Sequence, residues 1–433
     1  MQQQTFITMT EKLLHFIWQF KYRQLNGTLT SQGQKVEIID PGIQNNDSGP
    51  DFFNAKVKID DTIWAGNVEI HVNASDWYTH GHNSDPAYNN VILHVVQHND
   101  KVTIAENGHQ ISTLVLQISE NLEKEHNELI NSTQWIPCAD KLKKVDSLTV
   151  SAFIDRLMVE RLENKTLFVE VLVNSTNGSW EEAFYQAVVR SFGLPSNALP
   201  AEMLAKSLPL KTLAKHKNNL FQLEALIFGQ SGLLKRFGDI EDAYLISLKI
   251  EYSYLQKKFS LTPIDGNLWK FLRMRPPAFP TVRLAQLAAL AHESSSLFSK
   301  TMNCDSFDCM AKLFKTTTSE YWQNHYVFGK TSTKKIKTIG QNTISVIAIN
   351  VAAPFMYAYG KSKGNEELSG KALKILEQLK PETNSIISNF AELGIQAKNA
   401  AEGQSLIHLK KNYCDNKECL RCPLGAKILL KKV

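Results

Sequence analysis

The chain has 433 residues, of which 43% are hydrophobic and 21% charged, with a formal net charge of +5. That length exceeds what one small core needs and calls for two or three domains. The composition excludes a disordered or fibrous chain. The small net charge excludes a protein that is basic over its whole surface.

The charge is unevenly spread. Residues 1–100 hold six Lys/Arg against eleven Asp/Glu, and residues 401–433 hold seven against three. An acidic front suits a metal site, and a basic tail suits contact with a polyanion. The apolar residues near the start are broken by Glu11, Lys12 and His15, so no secretory signal is read. The longest apolar run, Ile344 to Tyr359, is interrupted by Asn350 and Pro354 and reads as buried core, not a membrane span. Six cysteines, three of them at the end, do not make a secreted disulfide framework. The expected compartment is the cytoplasm, with no membrane partner.

Residues 11–22 form an apolar helix with Thr10 as N-cap. Residues 35–39 alternate as a strand, and residues 45–50 are a turn cluster. Ala55, Val57 and Ile59 alternate with Lys56, Lys58 and Asp60, which predicts a half-buried strand over 53–59. Asp60-Asp61 is the hairpin turn into a strand over 64–72. That strand places Trp64, Val68, Ile70 and Val72 on one face and Asn67, Glu69 and His71 on the other. Residues 91–98 are nearly all apolar, as in a central strand covered on both faces, and 114–118 add another. From 146 onward the period is helical, with helices expected at 149–173, 179–192, 196–207, 211–228, 240–259, 281–292 and 306–315. Residues 316–338 read as a polar connection. Helices follow at 343–358, 366–379 and 383–393 before the Cys-rich tail. The expected organisation is an α/β domain over 1–120, a connection over 121–145, a helical domain over 146–330 and a helical C-terminal region over 331–433.

The sharpest chemistry lies at 49–71. Asp51 starts one strand, and Glu69 and His71 lie two residues apart on the next. Side chains at i and i+2 of a strand share a face, roughly 7 Å apart. Carboxylates held this way suit a hard divalent ion such as Mg²⁺. Asp51 has the parity of the apolar face, so it needs a bulge after Pro50 to reach the polar side. A second grouping, Asp76, His80, His82 and Asp85 with His94 and His98, would suit Zn²⁺, Mn²⁺ or Fe²⁺.

This front region resembles the PD-(D/E)xK nuclease superfamily, on Pro50-Asp51 and Glu69-Ile70-His71. The resemblance implies a restriction-endonuclease-like mixed sheet within an α+β protein. Asp51 and Glu69 would hold Mg²⁺ or Mn²⁺, and His71 would stand in the lysine's place beside the attacking water. Glu11 would be an accessory acid on the preceding helix. The implied activity is metal-dependent hydrolysis of nucleic-acid phosphodiesters. The alternative is a non-catalytic nucleic-acid or ribonucleoprotein binding module on the same scaffold.

At the other end, Cys414-x4-Cys419-x2-Cys422 offers three thiolates to zinc or an iron–sulfur cluster. Candidates for the fourth ligand are Cys138, Cys304, Cys309 and His408. The tail resembles the iron–sulfur loop of endonuclease III-type glycosylases, but its first gap is four residues and Ile428 stands where the last cysteine would fall. Some PD-(D/E)xK nucleases use three late cysteines and one early one, which would give Cys138 the early part. Between 269 and 283, Arg273, Arg275 and Arg283 alternate with Trp269, Phe271 and Phe279. Such a pattern suits phosphate contact and base stacking. Over nearly its whole length the chain is similar to the family called domain of unknown function 2851. The segments that carry this are Trp18–Tyr22, Gly49–Phe52, Trp64–His71, Ser75–Trp77, Tyr88–His94, Arg273–Pro276 and Phe279–Arg283, together with the Cys tail.

Overall fold

The computed structural model describes residues 9–21, 25, 27–45 and 47–430. Tyr22 of the first helix and Asn46 of the turn cluster lie outside the described residues. The protein is α+β, with a mixed sheet in front and a largely helical remainder. Its contacts divide it into two compact units: residues 1–150 with 410–433, and residues 151–409. The Cys-rich tail therefore groups with the front sheet, not with the helices that precede it.

In the first unit, helix α1 (Met9–Lys21) is followed by strands β1 (Val36–Asp40), β2 (Ile43–Gln44), β3 (Phe52–Ile59) and β4 (Thr62–Asn73). Then come the short helix α2 (Asp76–Thr79), strands β5 (Val91–His98) and β6 (Ser112–Val115), and helix α3 (Glu120–Ile130). The sheet order is β1-β3-β4-β5-β6, with β2 also on β3. β3 and β4 form an antiparallel hairpin, whereas β4–β5 and β5–β6 are parallel. The apolar β5 sits inside the sheet, as its composition requires. The hairpin turns at Asp60-Asp61, where Asp60 adopts φ 51° and its carboxylate accepts from the Lys35 N–H at 2.8 Å.

The register of β3 slips between Phe52 and Ala55, with Asn54 at φ 57°. This is the bulge that Asp51 needed. One extra residue resets the alternation, so Phe52 stays in phase with buried Ala55, Val57 and Ile59, and Asp51 turns to the other face. Trp64, expected on the apolar face, lies near the hairpin end and is exposed. Gly66 allows β5 to come close: a Cβ there would lie 2.4 Å from Ile92 Cγ2 and 2.6 Å from the Asn90 carbonyl. α1 buries Leu13, Leu14, Phe16, Ile17 and Trp18. Its Trp18 indole donates to the Pro41 carbonyl at 3.0 Å and meets the Phe52 ring edge-on.

The second unit is built on helices such as Trp180–Phe192, Leu220–Gln230, Ala243–Phe259 and Pro280–Glu293. The helix expected over 211–228 breaks in two, because Asn219 caps the second half by accepting from the Gln222 N–H. Residues 316–338 are not a bare connection. They carry a short helix and a hairpin, and they bury Trp322 and Phe328 in the core. Their polar composition hid two aromatic anchors. Gln341–Lys363 is long and apolar enough to cross a membrane, but 72% of that window is buried within the protein. A π-turn at Ala348–Ala352 accommodates Pro354, which has no N–H for the α-helical bond.

Candidate metal centre

The turn cluster, the bulge and the β3–β4 pairing hold Asp51 and Glu69 together. The Asp51 N–H donates to Glu69 Oε2 at 3.0 Å, and the Ile70 N–H donates to Asp51 Oδ2 at 2.9 Å. Each carboxylate thus fastens the other's strand. α1 adds two residues one turn apart: His15, with Nε2 3.4 Å from Asp51 Oδ2, and Glu11, whose charge reaches Glu69. Residues four apart share a helix face.

Glu69 Oε1 faces imidazoles. His82 Nε2 lies 3.2 Å away and His71 Nε2 3.5 Å away. His80 Nδ1 is 3.1 Å from the same His71 nitrogen. One nitrogen each from His71, His80 and His82 falls within 4.8 Å of the others. Gly81 at φ 78° turns the loop so that His80 and His82 point back to β4. His82 also stacks on Tyr88, with ring centres 3.8 Å apart.

A second layer orients this set. His71 Nδ1 meets His94 Nε2 at 2.9 Å, and His94 Nδ1 meets Thr103 Oγ1 at 2.8 Å. If each ring donates through Nδ1, the chain of donors runs unbroken to Thr103. The Nε2 lone pair of His71 is then left facing the centre, as in metal sites with oriented histidines.

Burial decides the protonation. It raises the Glu69 pKa well above the usual carboxylate range, helped by the charges of Asp51 and Glu11. It lowers the His71 pKa, helped by neighbouring His94, His82 and His80. His82 falls to about 4, through burial first and then His80. His94 falls to about 3, again through burial first. Neutral imidazoles beside a carboxylate that resists ionisation are ligands in search of a cation. Imidazole nitrogens beside a carboxylate oxygen suit Mn²⁺, Fe²⁺ or Zn²⁺ better than Mg²⁺, which prefers oxygen.

Asp51, Glu69, His71 and Glu11 therefore gather at one place. The second grouping splits. His80 and His82 join the first site and His94 supports it, but Asp76 accepts from the Asn73 N–H and Asp85 caps the turn Pro86–Tyr88. His98 is exposed. His15 was missed, although its spacing of four from Glu11 was a visible signal.

In the helical unit, Arg273 and Arg275 are exposed, and Arg273 adopts φ 61°. Arg283 is half-buried, donating through Nη1 to Gln286 Oε1 at 3.0 Å. The aromatics between them turn inward: Trp269 donates to the Ser231 carbonyl at 2.9 Å, and Phe271 packs on Phe237 and Phe279. Cys304 and Cys309 are disulfide-bonded to each other, and His408 Nε2 lies 3.5 Å from Glu160 Oε2. Cys138, Cys414, Cys419 and Cys422 take no part in a disulfide.

No curated protein and no solved structure matches the chain. A family model does, and its match covers both the candidate metal centre and the arginine segment but ends before the last three cysteines. The chain belongs to the family described as protein of unknown function (DUF2851), whose model matches residues 11–385.

Proposed function

We propose that the front unit is the hydrolytic centre of a metal-dependent nuclease-like protein acting on nucleic-acid phosphodiesters. The observation that supports this most is Glu69. It is a carboxylate only 4% exposed, with Asp51 on one side and His71, His80 and His82 on the other. A bound divalent ion supplies charge neutralisation at phosphate and a water of lowered pKa. Of the two metals expected at this site, the nitrogen-rich donor set favours Mn²⁺ over Mg²⁺.

The chain's own residues divide the remaining work. Glu69, His71 and His82 are metal ligands, and Asp51 holds Glu69 in place through its backbone while its own carboxylate lies beside His15. His80, the exposed member of the trio, would take a proton from incoming water. Exposed Arg273 and Arg275 supply phosphate contacts, and the unusual φ of Arg273 is the kind of backbone strain found at binding loops.

The experiment is degradation of labelled single- and double-stranded DNA and RNA by metal-stripped protein supplemented with Mn²⁺, Mg²⁺ or Zn²⁺. Cleavage with Mn²⁺ that disappears in Glu69→Gln supports the reading. Nucleic acid bound but uncleaved under every metal, by both proteins, would establish the second reading instead, a binding module. That alternative draws support from the burial of Glu69, His71 and His82, which leaves His80 as the exposed histidine of the trio.

A further inference from the structure

We infer that the helical unit holds a binding cavity for a small organic monocarboxylate, whose carboxylate is received by Arg161 and Lys165. The two cations lie four residues apart on the helix Ser147–Ser175 and so share one of its faces. Both line a cavity of about 270 Å³, together with Asn350 and the apolar side chains of Phe168, Val169 and Phe355. A cavity of roughly 150 Å³ already accepts benzene. Among the described residues no carboxylate lines this one. All of these side chains belong to the same compact unit.

Each cation is positioned by neutral acceptors and keeps further donors. An ammonium has three N–H groups and a guanidinium five. Lys165 Nζ donates to Asn350 Oδ1 at 3.0 Å and to the Ile349 carbonyl at 3.4 Å, which leaves a third N–H for a ligand. The π-turn supplies that carbonyl. The Ala353 N–H donates to the Ala348 carbonyl, one residue further back than in an α-helix, and Pro354 has no N–H. The Ile349 carbonyl is therefore open to Lys165. Turns of this kind recur at functional sites. Arg161 uses Nε on Gln404 Oε1 at 3.2 Å, and its Nη groups make no hydrogen bond among the described residues. Gln404 is oriented in turn by donating through Nε2 to Glu382, and Asn350 Nδ2 donates to the same carboxylate at 3.3 Å.

Charge and shape together select the class of ligand. Burial lowers the Lys165 pKa to about 7, with Arg161 adding to the fall and Glu382 opposing it. Burial lowers Arg161 too, again against Glu382. Two cations acting with one carboxylate lack one negative charge, and a single bound anion restores it. A planar carboxylate can accept two parallel N–H bonds from the flat guanidinium. The apolar walls take the rest of the molecule, which favours an organic acid over inorganic phosphate.

The test is calorimetric titration of the full chain with benzoate, hexanoate, benzamide and inorganic phosphate. Benzoate or hexanoate should bind saturably. Benzamide has the shape of benzoate without its charge and should bind at least about tenfold more weakly, the loss expected of a charged hydrogen bond. Benzoate should bind Arg161→Gln and Lys165→Met more weakly by a similar factor. No saturable binding of either acid overturns the inference, as does benzoate affinity unchanged in both variants. Benzamide or phosphate binding as tightly as benzoate overturns it as well. Should the variants fail to fold, modification of the wild-type protein by an amine reagent decides, read by peptide mass spectrometry. Benzoate should abolish labelling of Lys165, and benzamide should not. Labelling of Lys165 that benzoate leaves unchanged sinks the assignment.

Discussion

The front centre and the arginine segment solve opposite problems. Around Glu69 the chain buries titratable groups until they hold unusual protonation states, with histidines 82 and 94 at about 4 and about 3. Around Arg273 and Arg275 it turns the aromatics into the core and leaves two guanidinium groups in solvent. Burial makes a group reactive and selective, whereas exposure makes it a contact whose strength depends on salt. On the proposed reading the sheet would carry the chemistry and the helices the attachment, and substitutions in each region should produce different kinds of defect.

The largest effect belongs to Glu69. Glu69→Gln keeps the shape and removes the charge, and the expected loss of cleavage is on the order of 10²–10⁴-fold, the range for a positioned catalytic group. Nucleic-acid affinity, measured in the same buffer, should change by less than about threefold if attachment resides in the arginines. A parallel collapse of affinity would erase the distinction between the two regions.

His94→Leu and Thr103→Val come next. Neither residue touches the proposed ion, but the hydrogen-bond chain from Thr103 through His94 to His71 Nδ1 orients the His71 ring. Metal affinity, read by competition with a chelating dye, should fall about 10–100-fold, as for other outer partners of metal ligands. Unchanged affinity would mean that the imidazole chain is only packing.

How much of this was legible in the sequence depended on the range of each signal. Glu69 and His71 were readable because strand alternation puts them on one face. Even the bulge was foreseeable, since Asp51 had the wrong parity without one. The roles of His80 and His82 were hidden, because the return of the loop depends on Gly81 at φ 78° and on packing of His82 against Tyr88. They read as a separate cluster with Asp76 and Asp85, whose carboxylates proved to be fastening backbone. The nearness of Cys138 to the tail had no local signal at all, because only the fold brings its segment against the helix Pro423–Leu430. Trp322 and Phe328 were lost in a polar stretch for a related reason: two anchors are too few to set a period.

A smaller effect tests the helical side. Arg273→Ala with Arg275→Ala should lower the slope of log affinity against log salt by about two, one per phosphate contact. Arg283→Ala should leave that slope alone and lower the melting temperature instead, because its half-buried guanidinium is bonded to Gln286. A slope unchanged in the double variant removes these arginines from the interface.

The smallest effect is a pH dependence of stability confined to the front unit. His71, His82 and His94 have folded pKa values below the unfolded value near 6.5. Between the folded and unfolded values the unfolded chain binds more protons, so stability falls as pH drops from about 6.5 toward about 4. Glu69 runs the other way. Its folded pKa is raised, so the native state holds the extra proton and loses stability as pH rises above about 4.5. In metal-stripped protein the two trends oppose each other and flatten the melting temperature across this window. Glu69→Gln removes the carboxylate's share, so the same scan should show a steeper acid fall, of a few degrees. A profile identical to wild type would mean that Glu69 ionises freely in the folded protein, and the cation it was argued to require would lose its physical motive.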